Sequence, residues 1–184
     1  MATERADAAR NRQRILAAAG RLFASCGPAN VTMDDIAKAA GVGRGTLYRR
    51  YPDRAAIATA LLDSHERELQ AKLLAGDPPL GPGAPPVARL AAFYEAMVEL
   101  LEQHAHLVLG AETGRSRFQT GAYGFWRAHM RALLADAEAP VPDALTDILL
   151  APLAPEVYLF QRTQRGLSPK QIATALRQLA QVIA

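Results

Sequence analysis

The sequence predicts an all-α protein with a small N-terminal head and a larger helical body. Alanine and leucine are abundant along the whole chain, whereas the strand-like alternation of Val, Ile, Thr and aromatic residues is missing. Apolar residues recur instead at intervals of three and four, and glycine or proline separates one such stretch from the next. Each of these stretches is therefore predicted to be one helix.

The head is predicted to contain three helices. Gly27-Pro28 ends the apolar stripe of the first helix, because glycine favours a left-handed cap and proline cannot continue a helix. Thr32, three residues before Asp35, predicts the capped start of the second helix, since its hydroxyl accepts a hydrogen bond from exposed amides. Gly41 supplies the bend that follows. The predicted bounds are Arg10 to Ser25, about Met33 to Ala40, and roughly Arg44 to Tyr51.

The body begins where Pro52-Asp53 ends the third helix and caps a fourth. The Pro- and Gly-rich stretch from Gly76 to Pro86 is predicted to be a surface loop. Pro152 and Pro155 are predicted to kink or divide the apolar stretch around them, and Ser168-Pro169-Lys170-Gln171 predicts the cap of the last helix. The predicted body helices are Arg54 to about Ala75, Val87 to Leu109, one with Tyr123 to Leu133 on its inner face, Asp143 to Gln164, and Pro169 to Ile183. The expected domains are residues 1–53 and residues 54–184.

Positive charge is concentrated in the head. The net charge of the chain is only +3, but residues 1–54 hold ten Lys and Arg against five Asp and Glu, whereas the remainder holds eleven against thirteen. A basic head on a mildly acidic body is typical of a chain that binds a polyanion with one end. Nucleic acid and acidic membrane lipid both satisfy this charge distribution.

Composition excludes several kinds of site. Cys26 is the only cysteine, which excludes an internal disulfide and a cysteine-rich zinc site and leaves either a packed or a reactive thiol. No pairing of nucleophile and base and no metal-ligand spacing accompanies the charged residues. We therefore expect no catalytic site, no metal and no cofactor.

No segment is predicted to cross a membrane or to direct secretion. The longest apolar-rich stretch, Ile148 to Phe160, is shorter than the roughly 20 residues that a bilayer requires. The N-terminus, MATERADAARNRQRI, has no continuous apolar run and no small-residue cleavage site. We therefore expect a cytoplasmic protein without a membrane partner.

The segment from Val31 to Ala60 has the residues that a helix-turn-helix requires. Ile36, Ala37 and Ala40 form an apolar face with small residues, through which two helices can approach closely. Val42 and Leu47 then close a miniature core across the turn. Five side chains of the third helix remain available to DNA, namely Arg44, Thr46, Tyr48, Arg49 and Arg50.

The motif TMDDIAKAAGV, from Thr32 to Val42, is followed by Gly45-Thr46-Leu47-Tyr48 and by Tyr51-Pro52-Asp53-Arg54. Together these motifs resemble the N-terminal signature of TetR-type transcription regulators. Three positions depart from the pattern: Gly43 stands where a serine cap is usual, Tyr51 where phenylalanine is usual, and Arg54 where lysine is usual. The rest of the chain resembles the family only in size, helicity and the order of its helices.

The resemblance implies that the third helix enters the major groove of a palindromic operator in double-stranded DNA. Arg44 is then the leading base-reading residue, because a guanidinium can donate to both acceptors of a guanine edge. Tyr48 is assigned mainly to phosphate, and Thr32 and Arg54 to a clamp on the DNA backbone. The arm formed by Arg10, Arg12 and Arg14 either adds DNA contacts or is a solvated run of charge. The implied DNA-binding residues are Thr32, Arg44, Gly45, Thr46, Tyr48, Arg49, Arg50 and Arg54.

The same resemblance implies that the body binds a small-molecule effector. A set of mostly aromatic and sulfur-containing residues either lines a pocket for a largely apolar ligand or is plain core packing. The candidate ligand-binding residues are Phe93, Tyr94, Met97, Leu101, His104, Tyr123, Trp126 and Met130. Relief of repression by the effector is the implied response, although an activator would have the same sequence features.

A homodimer is the implied assembly, with the last predicted helices of two chains forming a four-helix bundle. The candidate interface residues are Leu149, Leu153, Val157, Phe160, Leu176, Leu179 and Ile183. A small helical enzyme and a helix-turn-helix used as a protein or membrane adaptor are the rival functions. Salt-dependent binding to a defined palindrome distinguishes the regulator from both.

Overall fold

The computed structural model describes residues 2–27, 30–111, 118 and 120–181. Within these ranges all regular secondary structure is helical, which confirms the predicted fold class. The predicted helix stop at Pro28 and the predicted dimer residue Ile183 lie outside the described residues. The helices are α1 (Ala2–Cys26), α2 (Met33–Ala40), α3 (Arg44–Arg50), α4 (Arg54–Ala75), α5 (Pro86–Ala111), α6 (Gly121–Asp136), α7 (Pro142–Leu150), α8 (Pro155–Thr163) and α9 (Pro169–Ala180).

The chain divides into two compact units, Met1–Ser64 and His65–Ala184. We call the first the head and the second the body. The head has its own apolar core, to which α4 contributes Ile57 and Leu61. The first part of α4 therefore packs with the three helices before it. The functional boundary expected between residues 53 and 54 stays a prediction.

Helix α1 begins at Ala2, eight residues before the predicted start at Arg10. The additional segment, ATERADAA, contains alanine, glutamate and arginine and neither glycine nor proline, so its residues favour helix. Asp7 and Arg10 also form an ion pair one turn apart. The predicted start is later than the observed one because this segment is polar in sequence and has no apolar stripe with which to predict a helix.

The helix ends in the head follow the local chemistry of their residues. The Thr32 hydroxyl accepts a hydrogen bond from the Asp35 amide at 3.1 Å, and the Asp35 carboxylate accepts one from the Thr32 amide at 3.0 Å. This reciprocal cap confirms the predicted start of α2. Gly41 ends α2 with a φ of +60°, and its carbonyl accepts a hydrogen bond from Arg14 Nη2 at 2.9 Å. The turn between α2 and α3 is thus tied to α1.

In the body, α5 packs against α6, α8 and α9, and α6 packs against α7. The buried hydroxyl of Tyr94 donates a hydrogen bond to the Leu149 carbonyl at 2.9 Å and joins α5 to α7. Glu102 of α5 accepts two hydrogen bonds, each 2.8 Å long, from Arg162 of α8. Paired donation of this kind fixes direction as well as distance.

Proline divides the predicted stretch Asp143 to Gln164, as the sequence indicated. Helix α7 ends at Leu150, a short 3-10 turn covers Ala151–Leu153, and Pro155 is the first residue of α8. Proline is favoured at a first helical position, because that position leaves its amide without a partner in any case. The cap of α9 by Ser168 and Gln171 is also as predicted.

We expect Gly41→Ala to destabilise the head by about 1–2 kcal/mol, because a left-handed conformation disfavours every residue with a Cβ atom. A Cβ atom there would also lie 2.5 Å from Arg14 Nη2, so the Arg14 side chain would have to move. Urea unfolding measures the change. Gly45→Ala is the matched control, since no heavy atom lies within 4 Å of the added carbon. Equal stabilities of the two variants would contradict the role of Gly41.

Candidate nucleic-acid interface

Helix α3 buries one side chain, Leu47, in the head. Leu47 is fully buried in the core that also contains Ile36, and half-buried Val42 packs against the same core. The amides of Thr46 and Leu47 donate to the Gly43 carbonyl at 3.0 and 3.1 Å. Gly43 provides no side-chain cap. The burial of Leu47 therefore determines which face of α3 points outward.

The outward face of α3 carries the side chains that were predicted to meet DNA. Tyr48 is 44% exposed. Thr46 is half-buried beside it. The exposed residues of α3 are Arg44, Gly45, Tyr48, Arg49 and Arg50. Three arginines and the phenol ring of Tyr48 thus lie on a single short helix and form a basic surface. Such a surface can bind a phosphate backbone and base edges together.

Arg44, the first residue of α3, forms an ion pair with Asp34 of α2. The distance between Arg44 Nε and Asp34 Oδ1 is 2.8 Å, and both side chains remain more than half exposed. Sequence reasoning did not identify Asp34 as part of this surface. An acid in the first turn of a helix is common, and no local pattern indicates that it lies beside the start of the next helix.

Two of the other predicted DNA-binding arginines donate to main-chain carbonyls within the head. Arg50 Nη1 donates to the Ala8 carbonyl of α1 at 3.2 Å. Arg54 Nη1 donates to the Val31 carbonyl at 2.8 Å. These bonds leave the positive charges in place but restrict the directions in which the two side chains point.

Thr32 is engaged in the cap of α2. Its hydroxyl donates to Asp35 Oδ2 at 2.6 Å while its oxygen accepts from the Asp35 amide. These hydrogen bonds from Thr32 also lower the pKa of the Asp35 carboxyl, so the carboxylate is favoured. A contact between Thr32 and a DNA phosphate would require the hydroxyl proton to turn away from Asp35.

The basic arm of α1 is only partly a solvated run of charge. Arg10 pairs with Asp7, and Arg14 donates to the Gly41 carbonyl. Arg12 is half-buried. Arg14 is therefore a structural residue of the turn between α2 and α3, a role that the sequence did not indicate.

The predicted ligand-binding set lies in the interior of the body. The buried members are Phe93, Tyr94, Met97, Leu101, His104, Trp126 and Met130. Tyr123 is half-buried. The rings of Phe93 and Trp126 are 6.0 Å apart, so α5 and α6 meet through aromatic side chains. This packing fits both of the alternatives that the sequence left open.

His104 of α5 has a partner that sequence reasoning missed. Its Nε2 atom lies 2.8 Å from Nδ1 of His65 in α4. Burial, with a smaller contribution from His65, lowers the pKa of His104 to about 4. His104 is neutral at ordinary pH, and one ring of the pair donates a hydrogen bond to the other.

Other buried polar atoms of the body have no hydrogen-bond partner among the described residues. They are Arg89 Nε, His129 Nε2 and Thr146 Oγ1. The ring of His129 lies 5.4 Å from that of Phe93. Burial, followed by the charge of Arg89, lowers the pKa of His129 to about 4. Atoms of this kind are available to a polar group of a bound molecule.

An open groove of about 670 Å³ lies on the surface formed by α6, α7 and α8. Of the predicted ligand-binding residues, only Tyr123 lines it. The rings of Phe118 and Tyr123 meet edge to face at 5.1 Å, and Arg127 pairs with Asp147 at 3.0 Å. The lining residues are Phe118, Tyr123, Gly124, Arg127, Asp147, Ala151, Ala154, Glu156 and Val157.

The predicted dimer residues are divided between the core and the surface. Leu149, Leu153 and Leu176 are buried within their own chain. Leu179 is half-buried. Val157 and Phe160 are exposed, by 37% and 49%. The prediction included these buried leucines because an apolar stripe that faces the core has the same helical spacing as one that faces solvent. Two exposed apolar side chains that the prediction omitted are Val141 and Ile148.

Across the described ranges, no helix combines the length and the apolar character needed to span a membrane. In the same part of the chain, His, Cys, Asp and Glu side chains form no cluster of three or more that could hold a metal ion.

Residues 15–61 match the family model described as bacterial regulatory proteins, tetR family. An HTH-type transcriptional regulator of Mycobacterium tuberculosis is 46% identical over 61 residues, which are 33% of this chain and 30% of that protein. An HTH-type transcriptional regulator of Staphylococcus aureus is 50% identical over 50 residues, which are 27% of each chain. The aligned segments thus cover less than a third of these relatives. They confirm the resemblance of the head to TetR-type regulators.

Solved regulators share the fold over nearly the whole chain. A transcriptional regulator from Rhodococcus sp. Rha1 has a TM-score of 0.69 at 19% identity, over 94% of this chain and 95% of that one. A TetR/AcrR-family regulator from Thermobifida fusca has a TM-score of 0.62 at 18% identity, over 92% and 95%. At these identities the likeness shows the fold alone.

Acid is expected to destabilise the protein partly through His104. Its pKa is about 4 in the folded chain against an ordinary value of 6.5, so the unfolded chain binds the proton first. The stability provided by the neutral ring is complete above pH 6.5 and is lost as the pH falls towards 4. Thermal unfolding of wild type and His104→Gln between pH 7 and 4 measures this loss of stability. The melting temperature of the variant should depend less strongly on pH than that of wild type. An equal pH dependence of the two melting temperatures would contradict the role of His104.

Proposed function

We propose that the chain, whose residues 15–61 match the model of the tetR family of bacterial regulatory proteins, is a ligand-responsive transcriptional repressor of that family. In this proposal a homodimer binds a palindromic operator in double-stranded DNA in the cytoplasm. The observation that carries the proposal is the exposed basic face of α3, which the buried Leu47 holds outward. A surface of this kind is what a recognition helix presents to the major groove.

The DNA contacts follow from the positions of the side chains on α3. Arg44 at its first turn reads a base, because the N-terminal residues of a recognition helix lie closest to the base edges. Apart from its chain neighbours and its own helix backbone, no described residue has a heavy atom within 4 Å of where a Cβ atom of Gly45 would be, which leaves room for close approach of the backbone. Tyr48 and Arg49 contact phosphates, and Arg50 and Arg54 support the same surface from the directions in which their carbonyl partners hold them.

The dimer covers the apolar side chains that α7 and α8 leave exposed. Ile148, Val157 and Phe160 are 61%, 37% and 49% exposed on neighbouring helices. Large apolar side chains left exposed on two helices are typical of an interaction surface. A two-fold axis would bring the same patch of two chains together and would present two copies of α3 to one palindrome.

The effector binds in the body as a largely apolar molecule with few polar contacts. Phe93 and Trp126 supply an apolar, aromatic surface between α5 and α6. Arg89 Nε and His129 Nε2 are buried nitrogen atoms without partners among the described residues, so they are candidates to bind a polar group of the ligand. A carbonyl or carboxylate oxygen would satisfy both.

Helix α4 is the element that transmits effector binding. It contributes Ile57 and Leu61 to the head core, and it carries buried Leu69 and Leu73 in its body half. Because α4 contributes buried residues to both units, we propose that an effector which displaces its body half also displaces its head half. The spacing of the two recognition helices in the dimer then changes, and the fit to the operator is lost.

The Arg44→Ala, Tyr48→Ala double variant should lose specific DNA binding. The operator is first selected by sequencing the genomic fragments that the purified protein retains. Loss of one base-reading arginine alone weakens binding by about 1–3 kcal/mol, which is roughly 5- to 150-fold, and loss of phosphate contacts also reduces the salt dependence. Fluorescence anisotropy titration of the operator duplex at several salt concentrations measures both effects.

Arg165→Ala is the matched control for this variant, because Arg165 is an exposed arginine of the body. It should bind the operator like wild type. Undiminished binding by the double variant would rule out α3 as the reading element.

Phe160→Glu is expected to separate the dimer, because it places a charge in the proposed apolar contact. The monomer should fold normally, since the side chain is already 49% exposed. Sedimentation velocity reports the assembly state and circular dichroism reports the fold. Leu74→Glu is the control, as Leu74 is 64% exposed on α4 outside the proposed interface. A dimeric Phe160→Glu protein would contradict the assignment of this face.

A further inference from the structure

The ion pair between Arg44 and Asp34 joins the start of α3 to the first turn of α2. Arg44 Nε and Asp34 Oδ1 are 2.8 Å apart, and the two side chains are 70% and 52% exposed. An exposed ion pair contributes only about 0–1 kcal/mol to folding, since water competes for both charges. Stability alone therefore gives little reason for a carboxylate beside the arginine of the proposed DNA surface.

Given the DNA-binding function proposed for α3, we propose that Asp34 is a specificity-determining residue that positions Arg44 to read a guanine. Asp34 acts through Arg44 and is a positioning residue of the interface. Its carboxylate lies 2.8 Å from Nε of the guanidinium, so the ion pair restrains the Nε side of Arg44 and leaves the two terminal Nη groups to bind the base.

The chemistry of the guanidinium explains why the Nε contact matters. Arginine carries five N–H donors in a planar fork, and the Asp34 carboxylate lies beside the Nε atom of this fork. The two terminal Nη groups then offer a pair of parallel N–H bonds. This pair matches O6 and N7 of guanine, the acceptors that a bidentate arginine reads in the major groove. An arginine without this ion pair would sample many rotamers. Binding to DNA would then have to fix its side chain, and more conformational entropy would be lost than for the paired arginine.

The charge of Asp34 also limits binding to the wrong DNA. An unpaired arginine is attracted to phosphates of any sequence, and this attraction supplies most non-specific affinity. A carboxylate at 2.8 Å cancels much of that attraction at a distance while leaving the bidentate contact intact. Asp34 therefore lowers the affinity for unrelated DNA and raises the preference for the operator over operators with a changed base pair.

The neighbouring acid provides an internal comparison. Asp35 accepts hydrogen bonds from the amide and the hydroxyl of Thr32, so its carboxylate serves the cap of α2. Asp34 is not needed for that cap. The two adjacent acids in the first turn of α2 thus have separate tasks: Asp35 starts the helix, and Asp34 orients the arginine of α3.

Asp34→Asn tests the proposal, because it removes the charge and keeps the size of the side chain. Anisotropy titrations compare the selected operator, operators with single base-pair changes, and an unrelated duplex. Arg44→Ala first identifies the base pair that Arg44 reads. It is the base pair whose substitution lowers the affinity of wild type but not that of Arg44→Ala. Asp34→Asn should then lower discrimination at that base pair about tenfold, within the range of one bidentate contact. Its affinity for the unrelated duplex should stay equal or rise.

Asp63→Asn is the control for charge, since Asp63 is an exposed acid of the head on α4. It should raise all affinities at most slightly and leave discrimination unchanged. In the Arg44→Ala background, Asp34→Asn should have no further effect on discrimination. A purely structural role for Asp34 would not produce this dependence on Arg44, and the melting temperature of Asp34→Asn should match that of wild type.

Two results overturn the role of Asp34 while leaving the proposed function intact. The first is an Asp34→Asn protein that keeps full discrimination, which would make Asp34 only a local charge. The second is a loss of binding together with a lowered melting temperature, which would make it a folding residue. If wild type itself prefers no sequence over the unrelated duplex, the proposed function fails and the inference fails with it.

Discussion

The burial of Leu47 is the interaction on which the function of this protein depends. A helix of seven residues is too short to be stable in isolation, so α3 exists because one of its side chains is fully buried in the head. That single contact fixes the rotation of the helix about its axis. Arg44, Tyr48 and Arg49 point outward because Leu47 points inward.

The polar bonds of the head restrict its arginines without neutralising most of them. Arg14, Arg50 and Arg54 donate to main-chain carbonyls, and a neutral carbonyl leaves the charge of each guanidinium in place. Arg44 differs because its partner is a carboxylate. The surplus of positive charge in the head is thus held in fixed directions before any DNA is bound, which reduces the entropy lost on binding.

The body combines an aromatic core with buried polar atoms for which its described residues provide no hydrogen-bond partner. Buried donors and acceptors normally find partners, so the nitrogens of Arg89 and His129, which have none among the described residues, favour the ligand site that we propose. Large apolar side chains are usually buried, but α7 and α8 expose Ile148 and Phe160 to solvent. Both departures occur where the proposed function requires a partner, either a ligand or a second chain.

The sequence by itself determined the features that depend on neighbouring residues. The starts of α2 and α9, the left-handed Gly41, the division at Pro152 and Pro155 and the helix-turn-helix motif all arise from chemistry within a few residues of chain. Tertiary structure alone decided that Asp34 meets Arg44 and that His65 meets His104 across 39 residues of sequence. It also decided that Leu149 and Leu176 face the core while Phe160 faces solvent. Helical spacing shows that an apolar stripe exists, but only the packing of distant helices determines which stripe is covered.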